Sequence, residues 1–554
     1  MHKTLLAVAA ALLSTSAMAD TLVHNANGIQ GGADGKLQRF GALLVGDDGK
    51  VMRTFTAGEA LPAQVTERID AGGRTLLPGL IDGHGHFFGL GFSALTLDLT
   101  GSASLADLQQ RLAAYAAQNP GSGWVVGRGW NQELWPDARF PTAADLESVV
   151  AGRPVALERV DGHALVANSA ALRAAGITNA TPDPVGGKIE RDSAGNATGL
   201  LIDSAMALVT AKVPAATATD RERALDEAQR LLLGFGVTAV GDMGTSVDEW
   251  QALRRAADAG RLNVRIMAYA AGMETVTAIG RPSVWLNGDR LRMVGVKLYD
   301  DGALGSRGAW LKRPYADKPD TRGLQFLKDA ELQAQVNSAA GKGFQVAVHA
   351  IGDAANAQAI GAFEQAGKAY PGDRRWRIEH VQIIDPADIP RLAPAGIIAS
   401  MQPTHQTSDR TMAEKRLDPP RLQGAYAWQS MLRSGARLAF GSDFPVESPN
   451  PFPGLGAAIS RQDANGQPPG GWFPAQRLTF AQALHGFTRG AAYAGFAEAK
   501  IGALEAGKWA DFIIVDRDVS AVEAQTVYGT QVLETWVAGK KVWARSATAP
   551  GERG

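Results

Sequence analysis

Two histidines stand two residues apart at the end of an apolar run, His84 and His86 in "LLPGLIDGHGHFFG". In a β-strand alternate side chains share a face, so both imidazoles would project together from one strand end, which is how a pair of metal ligands is presented. A polar strand end beside a loop is the plainer alternative for an isolated His-x-His. Four further residues close short apolar runs in the same way: Lys297 in "VGVKLY", His349 in "VAVHA", His380 in "RIEHV" after Glu379, and Asp443 in "FGSDFP". Each alone fits a packed histidine or a helix-capping aspartate. Lys297 is the least expected, because a lysine among Val, Gly and Leu is costly to bury charged. A neutral amine there can combine with carbon dioxide to give a carbamate, whose two oxygens can bridge two metal ions; pairing with Asp300, Asp301 or a backbone carbonyl is the alternative.

The elements that must position these residues follow a strand and helix rhythm. Eight short apolar runs, in "TLLPGLIDGHGH", "VTAVGDMG", "VRIMAYAA", "MVGVKLYDDG", "FQVAVHAIGD", "WRIEHVQ", "IIASMQPTHQ" and "RLAFGSDFP", alternate with segments of helical apolar spacing such as "DRERALDEAQRLLLGFG" and "DAELQAQVNSAAGKG". Eight such units predict an α/β chain built on a (β/α)8 TIM-like barrel, with its active site at the C-terminal ends of the strands. The six residues then converge on one barrel mouth, and a metal site is the expectation. Residues 90–219 are too long for a strand-to-helix connection. They carry their own strand-like runs, "GWVVGRGW" and "RPVALERVDGHA", and are expected to form an inserted subdomain over the mouth. The two ends, 20–77 and 497–554, share short β runs broken by Gly and Asp, as in "GALLVGDDGKVMRTF" and "VLETWVAGKKVWARS", and predict one small β-sandwich assembled from both. The barrel is expected to span 78–496.

Composition narrows the function classes. A chain of 554 residues is long enough for two or more structural units, and a net charge of -1 leaves no electrostatic footprint for nucleic acid. With no cysteine, disulfides and cysteine nucleophiles are excluded, and any metal must be held by His, carboxylate or modified Lys. The first 19 residues, with Lys3, the apolar stretch Leu5 to Leu13 and "AMA" before Asp20, read as a secretory signal peptide. An exported, periplasmic protein without a membrane span in its mature form is expected.

The ordered strings "LLPGLIDGHGH", "VKLYDDGALGSRGAWL", "VAVHAIGD", "RIEHVQ", "GSDFP" and "IGALEAGKWADFIIVD", with "ALERVDGHALVANSAAL" and "TPDPVGGKIERDSAGNATGLL" between them, resemble the amidohydrolase superfamily, specifically its amidohydrolase-3, or YtcJ-like, group. The resemblance covers almost the whole chain after residue 19. It implies a metal-dependent hydrolase in which His84, His86 and Asp443 hold one divalent ion, His349 and His380 hold a second, and carboxylated Lys297 bridges them. One or two zinc ions suit these ligands, with carbon dioxide needed for the lysine modification. The metal would activate water and polarise a scissile carbonyl, with Asp443 as the proton shuttle.

Substrate determinants are fewer. Asp161 and His163 in "VDGHA" resemble a motif facing the site, which implies substrate contact, with oxyanion assistance from His163. Trp130, Tyr299, Arg307 and Gln402 lie near strand ends or in the insertion and are candidates for the pocket lining; His405 also follows the seventh strand. The expected reaction is hydrolysis of a carbon–nitrogen bond in a small amide, with N-acyl and N-formyl amines in view. Ester, lactone or carbamate hydrolysis by the same site is the alternative within enzymes. A non-catalytic exported binding protein is the alternative outside them, and a homodimer is one expected assembly.

Overall fold

The computed structural model describes residues 20–546, apart from 33, 34, 133, 134, 161, 163, 185, 186 and the side chain of Asp203. The expected signal segment, Asp161 and His163 therefore lie outside the described residues. Eight parallel strands form a nearly closed barrel: β1 Leu80–Gly85, β2 Val237–Thr245, β3 Arg265–Ala271, β4 Leu291–Tyr299, β5 Gln345–Ala350, β6 Arg377–His380, β7 Ile398–Met401 and β8 Arg437–Phe440. Each strand pairs with its neighbour in chain order, and β1 is reached again from β8 by the Asp443 N–H donating to the His84 carbonyl at 2.8 Å. The strands are almost wholly buried, as near-continuous apolar runs in a parallel sheet should be.

The barrel interior is tied together by one cation. Arg377 on β6 is buried, and its guanidinium donates to Glu379, to the Tyr269 hydroxyl on β3 at 2.8 Å, to the Gly83 carbonyl on β1 at 2.7 Å and to the Ser400 hydroxyl on β7 at 2.9 Å. A buried guanidinium is tolerable only when its donors are satisfied in this way.

Two further sheets lie outside the barrel, the first built from N-terminal strands alone and the second from strands of both chain ends. Four strands run in the order Val51–Phe55, Ala42–Val45, Thr21–His24, Glu67–Asp70, and six in the order Lys540–Ala544, Val532–Val537, Phe512–Val515, Thr75–Pro78, Asn27–Gly31, Leu37–Phe40. Val23 and Leu43 from the first sheet share one apolar cluster with Leu76, Phe512 and Trp536 from the second.

The chain divides into two compact units, one of Met1–Gly85, Leu232–Val247 and Ala257–Gly554, the other of His86–Leu231 and Asp248–Ala256. The second contains a six-stranded sheet in the order Gly187–Arg191, Ala197–Asp203, Ala164–Ala167, Val155–Arg159, Val125–Trp130, Leu97–Asp98. Helix Leu105–Gln118, capped by the Ser104 side chain, contributes Leu108 and Leu112 to that unit's core beside Leu157 and Val166. Among the described residues no helix is long and apolar enough to cross a membrane.

Candidate metal centre

The end of β1 is fixed before it presents a ligand. Asp82 accepts from the His84 N–H at 3.1 Å and, at 2.6 Å, from the Ser442 hydroxyl, which joins the β1 end to the turn after β8. Burial pushes its carboxyl up to about 7, although the bonds from Ser442 and His84 oppose this. That turn also explains the glycine between the two histidines: a Cβ on Gly85 would stand 2.3 Å from the Phe444 ring. Gly85 is thus a packing requirement of the loop carrying Asp443, whose backbone φ of 62° is itself left-handed.

Three imidazoles are oriented through Nδ1, each by a different acceptor. His84 Nδ1 meets Glu379 at 2.6 Å, His349 Nδ1 meets Asp301 at 3.1 Å, and His380 Nδ1 meets Gln402 Oε1 at 2.8 Å. An Nδ1–H donated in this way leaves Nε2 as the lone-pair nitrogen, the tautomer a metal needs. The rings gather closely, with centroids of His84 and His380 4.9 Å apart and those of His349 and His380 4.6 Å apart. Burial holds His84 below its ordinary value, with Lys297 adding to the effect, and burial together with His349 holds His380 well below. Burial raises Glu379, but Arg377 and His84 outweigh it and keep the carboxylate below its usual range.

Lys297 lies in the same group. Its Nζ is 3.4 Å from His84 Nε2 and 4.8 Å from the centre of the Tyr299 ring. Burial pushes the amine down to about 8 against the pull of Glu379 and Asp443. Asp443 turns one oxygen to His84 Nε2 at 3.2 Å and the other to His405 Nε2 at 3.9 Å. His380, His405 and Asp443 offer ligand atoms within 4.8 Å of one another, and His86 opens the second unit. Imidazoles that turn Nε2 toward one another, a carboxylate and a buried amine whose proton burial loosens fit a divalent cation of the zinc type.

The remaining expected pocket residues are placed differently from one another. Tyr299 is 46% exposed at the end of β4, with its ring centroid 5.5 Å from that of His349. Gln402 is buried, and its side-chain oxygen meets His380 Nδ1 while its Nε2 has no hydrogen-bond partner among the described residues. Trp130 is fully buried in the core of the second unit, with its indole N–H donating to the Leu157 carbonyl at 2.8 Å, a packing role in place of pocket lining. Arg307 is engaged by Asp317 at 2.8 Å. Asp82, Asp301 and Glu379 were not singled out as functional from sequence. The local signal was that each carboxylate sits within four residues of a predicted ligand.

The family model described as "Amidohydrolase family" matches residues 67–543. The protein YtcJ of Bacillus subtilis (strain 168) is 32% identical over 493 residues, covering 87% of this chain and 91% of its own. An N-substituted formamide deformylase of Arthrobacter pascens is 27% identical over 561 residues, covering 96% and 99% respectively. The crystal structure of an uncharacterized metal-dependent hydrolase from Pyrococcus horikoshii OT3 superposes with a TM-score of 0.75 at 28% identity, covering 91% of this chain and 99% of that one. With histidines, lysine and aspartate gathered at one end of a parallel barrel, and with a family match across most of its length, this chain belongs to the amidohydrolase family.

Proposed function

We propose that this protein hydrolyses a carbon–nitrogen bond other than a peptide bond, with N-formyl and N-acyl amines as the first substrates to test. The observation that carries the reading is the placement of Asp443, a carboxylate between two imidazoles in a group of potential metal ligands. The deformylase relative, similar over nearly both full lengths, supports the choice of bond. A divalent cation, zinc as the first candidate, would supply Lewis acidity toward a carbonyl oxygen and lower the pKa of its water.

The chain's own residues do the rest. His84 and His380, fixed through Nδ1 by Glu379 and Gln402, present Nε2 without needing to reorganise. Asp443 accepts the proton of the attacking water and returns it to the departing nitrogen, which must leave as a neutral amine. In our reading Lys297 is carboxylated: its neutral Nζ bonds to the carbon of carbon dioxide, one proton leaves the nitrogen, and the neutral amine becomes a carbamate anion. Burial, which favours the neutral amine, supports this step.

The test is a panel of N-formyl amines, N-acyl amines, carbamates, lactones and esters assayed with the zinc-loaded protein and with Asp443→Asn. Amide turnover should exceed ester turnover in kcat/KM and fall by about 10²–10⁴-fold in the variant when both proteins are assayed in saturating zinc. Preferential turnover of esters or lactones would overturn the bond assignment, and full amide activity in Asp443→Asn would overturn the proton role.

A further inference from the structure

We propose that His405 is a ligand of the second cation position, completing with His380 and Asp443 a His, His, Asp site next to the position that His84 shares with Asp443. The inference rests on the metal-dependent reading above and adds a donor from an element outside the barrel strands. His405 lies in the first turn of helix Pro403–Arg416, which leaves β7 directly. Pro403 at the first helical position fixes where the helix starts. Gln402, the residue before the helix, does not cap it with its side chain; its carbonyl faces His380 instead. Gln402 and His405 are three apart on one helical turn, so the element that orients His380 also delivers the second imidazole.

Three observations meet at His405. It is buried, at 8% exposure, and its Nε2 has no hydrogen-bond partner among the described residues. An imidazole nitrogen shut away from water with nothing to bind is unfavourable unless a ligand completes it. That nitrogen is 3.9 Å from Asp443 Oδ2, too far for a hydrogen bond, and the His405 ring lies nearly parallel to that of His380 with centroids 6.1 Å apart. Zinc holds imidazole nitrogen and carboxylate oxygen at about 2.0–2.2 Å, which places ligand atoms on one ion about 3–4 Å apart. The ligand atoms of His380, His405 and Asp443, all within 4.8 Å of one another, approach that spacing with side-chain shifts of about 1 Å. Because the other oxygen of Asp443 faces His84, this carboxylate would join the two positions.

Chelator competition on the metal-stripped full chain reads this directly, as two successive zinc affinities, for the wild type, His405→Ala and His405→Phe. The phenylalanine keeps a ring of similar shape and removes the nitrogen. We expect both variants to bind the second equivalent at least about tenfold more weakly and the first unchanged. Loading with cobalt should show an altered d–d absorption for the second equivalent only, which a packing defect would not produce. Wild-type affinity for the second equivalent in His405→Phe overturns the assignment, as does a wild-type protein that binds one equivalent only. A wild-type protein that binds no divalent ion overturns the metal reading of the whole site, an outcome distinct from the failure of His405 alone.

Discussion

Asp301 shows how much of this site is set by residues that touch no metal. Its carboxylate meets His349 Nδ1 at 3.1 Å and also accepts from the backbone N–H groups of Trp310, Ile351 and Gly352 at 2.9, 3.0 and 2.8 Å. The same side chain therefore sets the tautomer of a candidate ligand and pins the turn after β5 to the segment containing Trp310. Asp301→Asn keeps the shape but turns an amide NH₂ toward groups that can only donate. Metal affinity and activity should each fall about 10–100-fold in this variant, read by chelator competition and by initial rates, with the loss concentrated in the metal equivalent that His349 serves. An unchanged metal affinity would mean that His349 needs no such support. His380 makes a related point, since its φ of 77° and the 41° of Val381 place two side-chain-bearing residues in the left-handed region at the end of β6. Such strain, about 1–3 kcal/mol per residue, persists where surrounding contacts over-determine the backbone, and here the ring is held by Gln402.

Among elements, the joined end sheets have a testable electrostatic fastening. Asp518, near the C-terminus, accepts from Asn27 and Arg39 at 3.0 Å each and from the Ser520 hydroxyl at 2.6 Å, linking the first strands of the chain to its last. Burial raises its carboxyl, but the bonds from Ser520, Asn27 and Arg39 prevail and bring it down to about 2. A carboxyl depressed in the folded state stabilises the fold above its unfolded pKa of about 3.9, and that contribution is lost as pH falls toward about 2. Asp518→Asn should thus destabilise the protein at pH 7, by up to about 2 kcal/mol, and should make little difference near pH 2. Denaturant unfolding of both proteins at several pH values checks this; a difference that stays constant with pH would assign the loss to packing. The barrel element has the opposite character. Arg377 fastens β1, β3, β6 and β7 through satisfied buried bonds, and Glu379 passes that rigidity to His84.

For the molecule as a whole, bound metal should act as a thermodynamic brace, because the candidate ligands come from strands separated by hundreds of residues. Removing zinc should lower the unfolding temperature, and restoring it at a hundredfold excess over Kd should return about 2.7 kcal/mol of stability. Calorimetry with and without chelator measures this, and His84→Ala should abolish most of the difference; equal transitions for the metal-free and metal-loaded forms would remove metal from the folding account. Much of the architecture was legible along the chain because it is written locally. Period-2 side-chain alternation, apolar strands ending in His, Lys or Asp, and helical spacing between them are properties of short segments, and they suffice to identify eight barrel strands and the residues at their ends. The partners were not legible. His84 and Glu379 are 295 residues apart, and His349 and Asp301 are 48 apart. Alternation tells which face a side chain takes but not what stands opposite it. Trp130 looked like a pocket residue by type and position, yet it is packed in a core. The sequence by itself determined the strand ends and the chemistry they carry; only the tertiary structure decided which acceptor fixes each imidazole, because that depends on strand register and on neighbours that chain order does not contain.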